Sequence, residues 1–224
     1  MVTYPISKKV NPRAKRLSLR VDQRDGSLKL TVPRWTPQWQ IDRFLNKNAD
    51  WIAQRQSNAL SPITIEHGAI IPFHGVDHQI AFEKHSKRTT DITVSNYQLI
   101  IKTSRDDPTS NLKRWMIDQA RQAIEPLAYD KSKRIGKTIS KIDLRDTSSR
   151  WGSCSTDKRL MFSWRLIMCN PDILDYVVAH EVAHLKHMDH SNKFWDLCYT
   201  LTNGDADHAR QWLKENGNTL MRYF

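Results

Sequence analysis

The sequence His180-Glu181-Val182-Ala183-His184 predicts the most informative helix of this chain. An α-helix advances about 100° per residue, so the two histidines would lie about 40° apart on one face and one turn apart along the axis. From there both rings can bind one metal ion. Glu181 would lie beside them, displaced around the helix. That position suits a carboxylate that takes a proton from a metal-activated water better than a carboxylate that binds the metal.

The edges of this helix carry their own signals. Asn170-Pro171-Asp172 supplies a capping side chain, a proline for the first helical position and an acid in the first turn. An apolar stripe then runs opposite the histidine face, through Leu174, Val178, Val182 and Leu185. We therefore expect one side of the helix to pack and the other to carry chemistry.

A third metal ligand has two nearby candidates. On a continued helix the Cα of His187 would lie roughly 10 Å along the axis from that of His180, a span that three rings hardly close around one tetrahedral ion. His190 reaches the metal if the chain turns sharply after about residue 187, and we favour it. The spacing also equals that of the metzincins, although His187 occupies the position where their glycine makes the turn.

The composition of the whole chain sets further bounds. Its 224 residues can bury a sizeable core, and they include no run of eighteen apolar residues and no apolar amino-terminal run of signal-peptide length. Three cysteines, at positions 154, 169 and 198, show no paired metal spacing and fit reduced thiols. These features predict a soluble cytoplasmic protein that makes no membrane contact.

The net charge of +11 is concentrated near the amino terminus. Residues 1–60 hold twelve Lys or Arg and four Asp or Glu, a balance of +8, whereas the rest of the chain has a balance of +3. Such a region attracts nucleic acid or acidic proteins, or is simply a solvated surface.

The amino-terminal part reads as β-rich with one helix. A hairpin is predicted from Leu17 to Val32 around Asp25-Gly26, and a helix from Thr36-Pro37 to about Ala59. Short strands follow around residues 63–65, 70–73, 76–82, 92–94 and 99–101. The polar segment after Thr103 suggests a boundary between a basic β-rich region, residues 1–105, and a second domain, residues 106–224.

The second part alternates helices with strands. A long helix is predicted from about Thr109 to Ile135, a strand at Ile139–Leu144 and another at Lys158–Met168. Two further helices follow His190, over about residues 192–202 and 205–215. The expected fold class is α+β, with a mixed sheet beside the His180 helix.

Four motifs resemble those of the YgjP-like zinc metallopeptidases, a family that looks related to the SprT-like proteases of the zincin group. They are Ser149-Arg150-Trp151-Gly152-Ser153-Cys154, Phe162-Ser163-Trp164-Arg165-Leu166-Ile167, Tyr176-Val177-Val178-Ala179-His180-Glu181 with His184, and His190-Ser191-x-x-Phe194-Trp195. The resemblance implies a zincin-like domain in which His180, His184 and His190 bind zinc and Glu181 is the catalytic residue. It also implies that a strand edge at residues 159–168 pairs with an extended substrate.

Together these features predict a zinc-dependent metallopeptidase, an endopeptidase with one zinc ion per chain that acts on peptides or proteins. Arg150, Tyr176 and His187 are candidates for stabilising the oxyanion or contacting the substrate. The alternative is a zinc-stabilised nucleic-acid-binding or adaptor protein that docks through its basic amino-terminal region. A structural zinc site needs no general base, so Glu181 argues against that alternative.

Overall fold

The computed structural model describes residues 6–22, 27–57, 62–147 and 150–224. The chain forms two compact units, Met1–Ile63 with Met221–Tyr223 and Thr64–Leu220 with Phe224. The described part contains six α-helices and three mixed sheets, so the predicted α+β class is confirmed.

The first unit is built on a three-stranded sheet with the order β1-β3-β2, comprising β1 (Ile6–Val10), β2 (Ser18–Val21) and β3 (Leu28–Val32). Strands β2 and β3 are antiparallel, which confirms the hairpin, although its predicted Asp25-Gly26 turn lies outside the described residues. Strand β1 adds a parallel neighbour to β3 that the sequence did not reveal. One face of the sheet is apolar because alternate residues of β3, such as Leu30, are buried against Ile41.

The helix predicted from residue 36 to residue 59 is two helices, α1 (Gln38–Lys47) and α2 (Ala49–Ser57). Asn48 separates them, since its side-chain amide donates to the Phe44 carbonyl at 2.7 Å, in competition with the helical backbone. The predicted end at Ala59 lies outside the described residues.

The second unit begins with a four-stranded sheet in the order β4-β5-β7-β6, formed by β4 (Ile70–Phe73), β5 (Val76–Lys84), β6 (Asp91–Ser95) and β7 (Gln98–Thr103). These match four of the five predicted strands. The fifth, residues 63–65, is reduced to a single bridge between Ile63 and Tyr223.

This sheet lies in the same compact unit as the following helices, so the units divide near residue 63 and not at the expected residue 105. Two contacts across residue 105 give the physical reason. The Phe73 ring lies 5.1 Å from the ring of Trp115, and the His74 amide donates to the Ile167 carbonyl at 2.8 Å.

A third sheet, in the order β8-β10-β9, comprises β8 (Lys141–Arg145), β9 (Gly152–Cys154) and β10 (Arg159–Ser163). The strand predicted over residues 158–168 is wrong in its second half, where Trp164–Met168 forms a 3₁₀ helix. Pairing with β8 stops at the Ser163–Arg145 partners, so the next residues turn to local hydrogen bonds such as Cys169 N to Leu166 O. All five residues of the 3₁₀ helix are buried, so this segment lacks the alternation of buried and exposed positions that is typical of a half-buried strand.

The remaining helices are α3 (Thr109–Arg134), α4 (Pro171–Ala183), α5 (Asn192–Leu201) and α6 (Ala206–Leu220). Lys131 of α3 is fully buried and forms an ion pair with Asp175 of α4 at 2.7 Å. The same ammonium group donates to the Leu201 carbonyl at the end of α5, so one cation connects three helices. Among the described residues, none of the helices combines the length and the apolar character needed to cross a bilayer.

Substituting Lys131 with Met should lower the free energy of unfolding by about 3–5 kcal/mol, because Asp175 would keep a buried charge without its cation. Equilibrium urea unfolding of the metal-free chain measures the change. Lys133→Met, at an exposed position on the same helix, is the matched control and should stay within about 0.5 kcal/mol of wild type. Equal effects of the two substitutions would contradict a structural role for the buried pair.

Candidate metal centre

Helix α4 begins where the sequence predicted. The Asn170 side chain accepts a hydrogen bond from the Asp172 amide at 3.2 Å, and Pro171 occupies the first turn. The turn between β4 and β5 fixes this start, since a Cβ on Gly75 would come within 2.7 Å of the Asn170 backbone. Gly75 also has a φ of +76°, which other residues rarely adopt.

The helix ends at Ala183, earlier than the turn expected after residue 187. His184 is its C-cap, and the chain then turns so that His190 returns to the His180 ring. The candidate ligand nitrogens of His180, His184 and His190 all lie within 4.8 Å of one another. The structure therefore brings together the three histidines that the sequence selected.

The spacing of two of these nitrogens fits a metal ion. The Nε2 atoms of His180 and His190 are 3.3 Å apart. Two ligands of a tetrahedral zinc, with bonds of about 2.0–2.1 Å, are separated by about 3.3–3.4 Å. Burial lowers the pKa of His180 to about 4, and burial also lowers the pKa of His184. Both rings are thus neutral near pH 7, the form in which an imidazole binds a metal.

A backbone contact selects the ligand nitrogen of His184. Its Nδ1 lies 3.0 Å from the carbonyl oxygen of His187. A carbonyl can only accept, so Nδ1 carries the proton and Nε2 keeps its lone pair for a metal. The Nδ1 atom of His180 is buried, and among the described residues it has no such partner. His187 thus contributes its main chain to this arrangement.

Two aromatic residues of α5 support the histidine rings. Phe194 is fully buried and stacks on His184, with ring centroids 4.4 Å apart. It also meets the edges of the His180 and His190 rings, at 4.9 and 4.8 Å. Trp195 lies 5.6 Å from His190, and the Arg210 guanidinium of α6 lies over the Trp195 ring at 4.9 Å. The aromatic pair of the His-Ser-x-x-Phe-Trp motif therefore restricts where these rings can move.

Glu181 lies against strand β9. It is 5% exposed, and a Cβ added to Gly152 would come within 2.5 Å of its Cγ and Oε1 atoms. A side chain at position 152 would therefore displace this carboxylate from its present position. Burial raises the pKa of Glu181 to about 8, while the charge of Arg150 acts in the opposite direction.

The strand beside the histidines is β9, which corrects the expectation of a substrate-binding edge at residues 159–168. Strand β10 is central, with β8 on one side and β9 on the other. Strand β9 and the histidine cluster line one open groove of about 290 Å³, with Gly152, Ser153, Cys154 and Met188 beside the three histidines and Glu181.

The ladder between β9 and β10 shows which backbone groups of β9 face outward. The carbonyl of Trp151 and the amide of Ser155 bond to β10, and Ser153 is paired with Met161 between them. Pairing alternates along an antiparallel strand, so Gly152 and Cys154 direct their N–H and C=O groups away from β10. Among the described strands none pairs with this edge of β9, which borders the groove.

The three other predicted site residues differ in how far their side chains are exposed to solvent. Arg150 is exposed and its charge acts on Glu181. Tyr176 is 6% exposed, with its ring 6.0 Å from His180, and burial raises its pKa to about 12, so it stays protonated at neutral pH. The His187 side chain is partly exposed. Reasoning from the sequence missed the specific roles of Gly152 and Arg210, which depend on contacts between distant segments.

The chain matches the sequence model of a family described as YgjP-like, metallopeptidase domain, over residues 15–216. Searches of curated proteins and of solved structures find no significant match.

His190→Ala should weaken zinc binding by more than about 100-fold, because one of three ring nitrogens is lost. His187→Ala should leave the affinity within a few-fold of wild type, because its hydrogen bond to His184 uses the main chain. Titration against a chelator of known affinity measures both variants. The reverse order would assign the third ligand to His187.

The buried Glu181 predicts a pH dependence of stability in the metal-free chain. Its folded pKa of about 8 exceeds its ordinary 4.5, so the folded state loses stability as pH rises between these values. Glu181→Gln removes this loss, and the variant should gain roughly 2 kcal/mol or more on wild type between pH about 5 and about 9.

Urea unfolding of both proteins across this pH range tests the prediction. The depressed pKa of His180 destabilises both proteins equally as pH falls below 6.5, so it cancels in the difference. A stability difference that does not change with pH would show that the Glu181 carboxylate is solvated. Bound zinc should reduce the stability difference between Glu181→Gln and wild type, since a nearby cation favours the ionised carboxylate.

Proposed function

The chain belongs to the YgjP-like metallopeptidase family, and we propose that it is a zinc-dependent endopeptidase of the His-Glu-x-x-His type. The observation that carries this proposal is the convergence of three histidine nitrogens beside a buried carboxylate at an open groove. The family assignment implies peptide or protein substrates. Zinc is proposed over other divalent ions because three imidazoles leave one position of a tetrahedral site open.

His180, His184 and His190 would hold the ion, one per chain. When bound there, zinc would polarise a substrate carbonyl and lower the pKa of water to about 7. The residues around the rings would keep them in place: Phe194 by stacking on His184, and the His187 carbonyl by fixing its tautomer. This support limits the reorganisation that binding requires.

Glu181 would act as the general base. Its carboxylate would accept the proton of the attacking water and then pass it to the nitrogen of the departing amine. Gly152 would keep the carboxylate near the groove, since the strand backbone presses directly on the Glu181 side chain. Because β9 excludes water from one side of Glu181, the carboxylate stays poorly solvated and therefore reactive.

An extended peptide would pair with the free edge of β9 through the outward groups of Gly152 and Cys154. Such pairing needs no chain terminus, which favours cleavage within a chain. Among the oxyanion candidates we favour Arg150, because it is exposed and its charge reaches the Glu181 region. Tyr176 lies deeper beside His180, and His187 already uses its carbonyl on His184.

The alternative function, a zinc-stabilised nucleic-acid-binding or adaptor protein, makes a different use of the same residues. It requires the three histidines as metal ligands, but it requires no general base, so Glu181 would have no function in it. A buried carboxylate that packs against Gly152 beside the histidine cluster therefore favours the peptidase. Substitution of Glu181 distinguishes the two functions experimentally.

Glu181→Gln should retain about one zinc per chain and lose hydrolysis of unfolded protein substrates by roughly 10²–10⁴-fold, because only the proton acceptor is removed. Elemental analysis after dialysis and a fluorescent peptide-release assay measure the two properties. His180→Ala should lose both. Glu215→Gln, an exposed carboxylate on α6, is the charge-matched control and should change neither.

Two outcomes would contradict the proposal. Folded wild-type protein without metal would remove the basis for the site. Zinc-loaded wild-type protein that cleaves none of a broad panel of peptides and unfolded proteins, with Glu181→Gln indistinguishable from it, would move the adaptor function ahead.

A further inference from the structure

The outer face of the first sheet is basic. One face of the β1-β3-β2 sheet packs against α1, and the residues between the buried ones point the other way. The strand registers place Ser7 beside Lys29, Lys9 beside Thr31, and both Ser18 and Arg20 on the far side of β3. These six side chains form one surface, which we call the outer sheet face: Ser7, Lys9, Ser18, Arg20, Lys29 and Thr31.

This face is the floor of a groove of about 570 Å³, whose wall includes Lys15 and Arg16 from the connection between β1 and β2. Among the described residues that line the groove, none is acidic. Asp22 is nearby but 5% exposed, and it forms an ion pair with Lys29 at 2.5 Å. Four further cations therefore share the groove: Lys9, Lys15, Arg16 and Arg20.

The pairing of Arg20 with Lys29 points to an anion. The two residues are direct partners in the antiparallel ladder, where like charges destabilise a sheet. Asp22 forms its ion pair with Lys29, and among the described residues no ion pair involves Arg20. A bound polyanion would relieve the repulsion, and the hydroxyl groups of Ser7, Ser18 and Thr31 would donate to its oxygens.

An exposed tryptophan continues this surface. Lys15 and Arg16 also line a second hollow of about 650 Å³, together with Arg34 and Trp35. Trp35 is 85% exposed, and the Arg34 guanidinium lies 5.1 Å from its ring centroid. A single exposed aromatic residue is ordinary, but here the ring adjoins a row of cations. Cations that follow a backbone beside a ring that stacks bases are typical of single-strand binding surfaces.

We propose that this surface of the amino-terminal unit binds single-stranded nucleic acid. Lys9, Lys15, Arg16 and Arg20 contact the phosphates, and Trp35 stacks on a base. An acidic protein segment would pair with the cations, but its carboxylates would not stack on the exposed ring of Trp35. The activity is independent of the metal centre, so a failure of the peptidase proposal would leave it intact.

Fluorescence anisotropy of the full chain with a labelled single-stranded oligonucleotide of about twenty nucleotides tests the proposal. Four phosphate contacts predict that log K falls with log salt concentration with a slope of about −3. Lys9→Gln with Arg20→Gln should weaken binding and reduce the slope by about 1.4. Trp35→Ala should weaken binding about tenfold and leave the slope unchanged.

The matched control is Arg43→Gln with Lys47→Gln, which removes the same charge from exposed positions of α1, the helix on the opposite face of the sheet. It should leave both affinity and slope near wild type. All substituted side chains are exposed, and circular dichroism verifies that each variant is folded.

Three results would overturn the proposal. The first is no binding at about 20 mM salt, where phosphate contacts are strongest. The second is an equal loss of oligonucleotide affinity in the control variant, which would show that binding depends on the net charge of the chain and not on this surface. The third is tighter binding of polyglutamate than of the oligonucleotide with no effect of Trp35→Ala, which would assign the surface to an acidic protein.

Discussion

Helix α4 is almost completely buried, yet its sequence includes ionisable side chains. The surrounding structure therefore has to compensate the burial of each of them. A charge buried without a partner is among the most unfavourable features a fold can contain. Asp175 is balanced by Lys131 and accepts two hydrogen bonds from Asn203, at 2.8 and 2.9 Å. These contacts attach α4 to α3 and to the segment after α5. The helix that presents the histidines is thus held at the end opposite to them.

Glu181 is accommodated differently. It has no cation in ion-pair contact among the described residues, and β9 approaches so closely that a Cβ at position 152 would meet the Glu181 side chain in its present position. Its raised pKa is the electrostatic consequence of that burial. The same close approach brings the free edge of β9 to the groove. One packing contact therefore accounts for both the raised pKa of the carboxylate and the position of this strand edge beside the histidines.

The histidines depend on a short loop and on an aromatic platform. Because α4 stops at Ala183, the chain can turn and bring His190 back to His180. Phe194, only four residues later, then packs against all three rings. The third histidine of the cluster and the aromatic ring that packs against it thus come from one segment, which explains why histidine and aromatic residues occur together there. The basic surface of the amino-terminal unit depends on none of these contacts, since its cations come from one small sheet and its connection.

The sequence by itself determined the features that depend on local spacing. It predicted the start of α4, the histidine pair with its carboxylate, the return of His190, the hairpin and most strands, because caps, helical periodicity and alternation are written in neighbouring residues. The tertiary structure decided what depends on distant partners. It ended the strand at Ser163 where its neighbour β8 stops, placed β9 at the edge in place of residues 159–168, and divided the units near residue 63. No local pattern records which strand lies outermost or which glycine faces a carboxylate, because those facts arise from contacts between segments far apart in the chain.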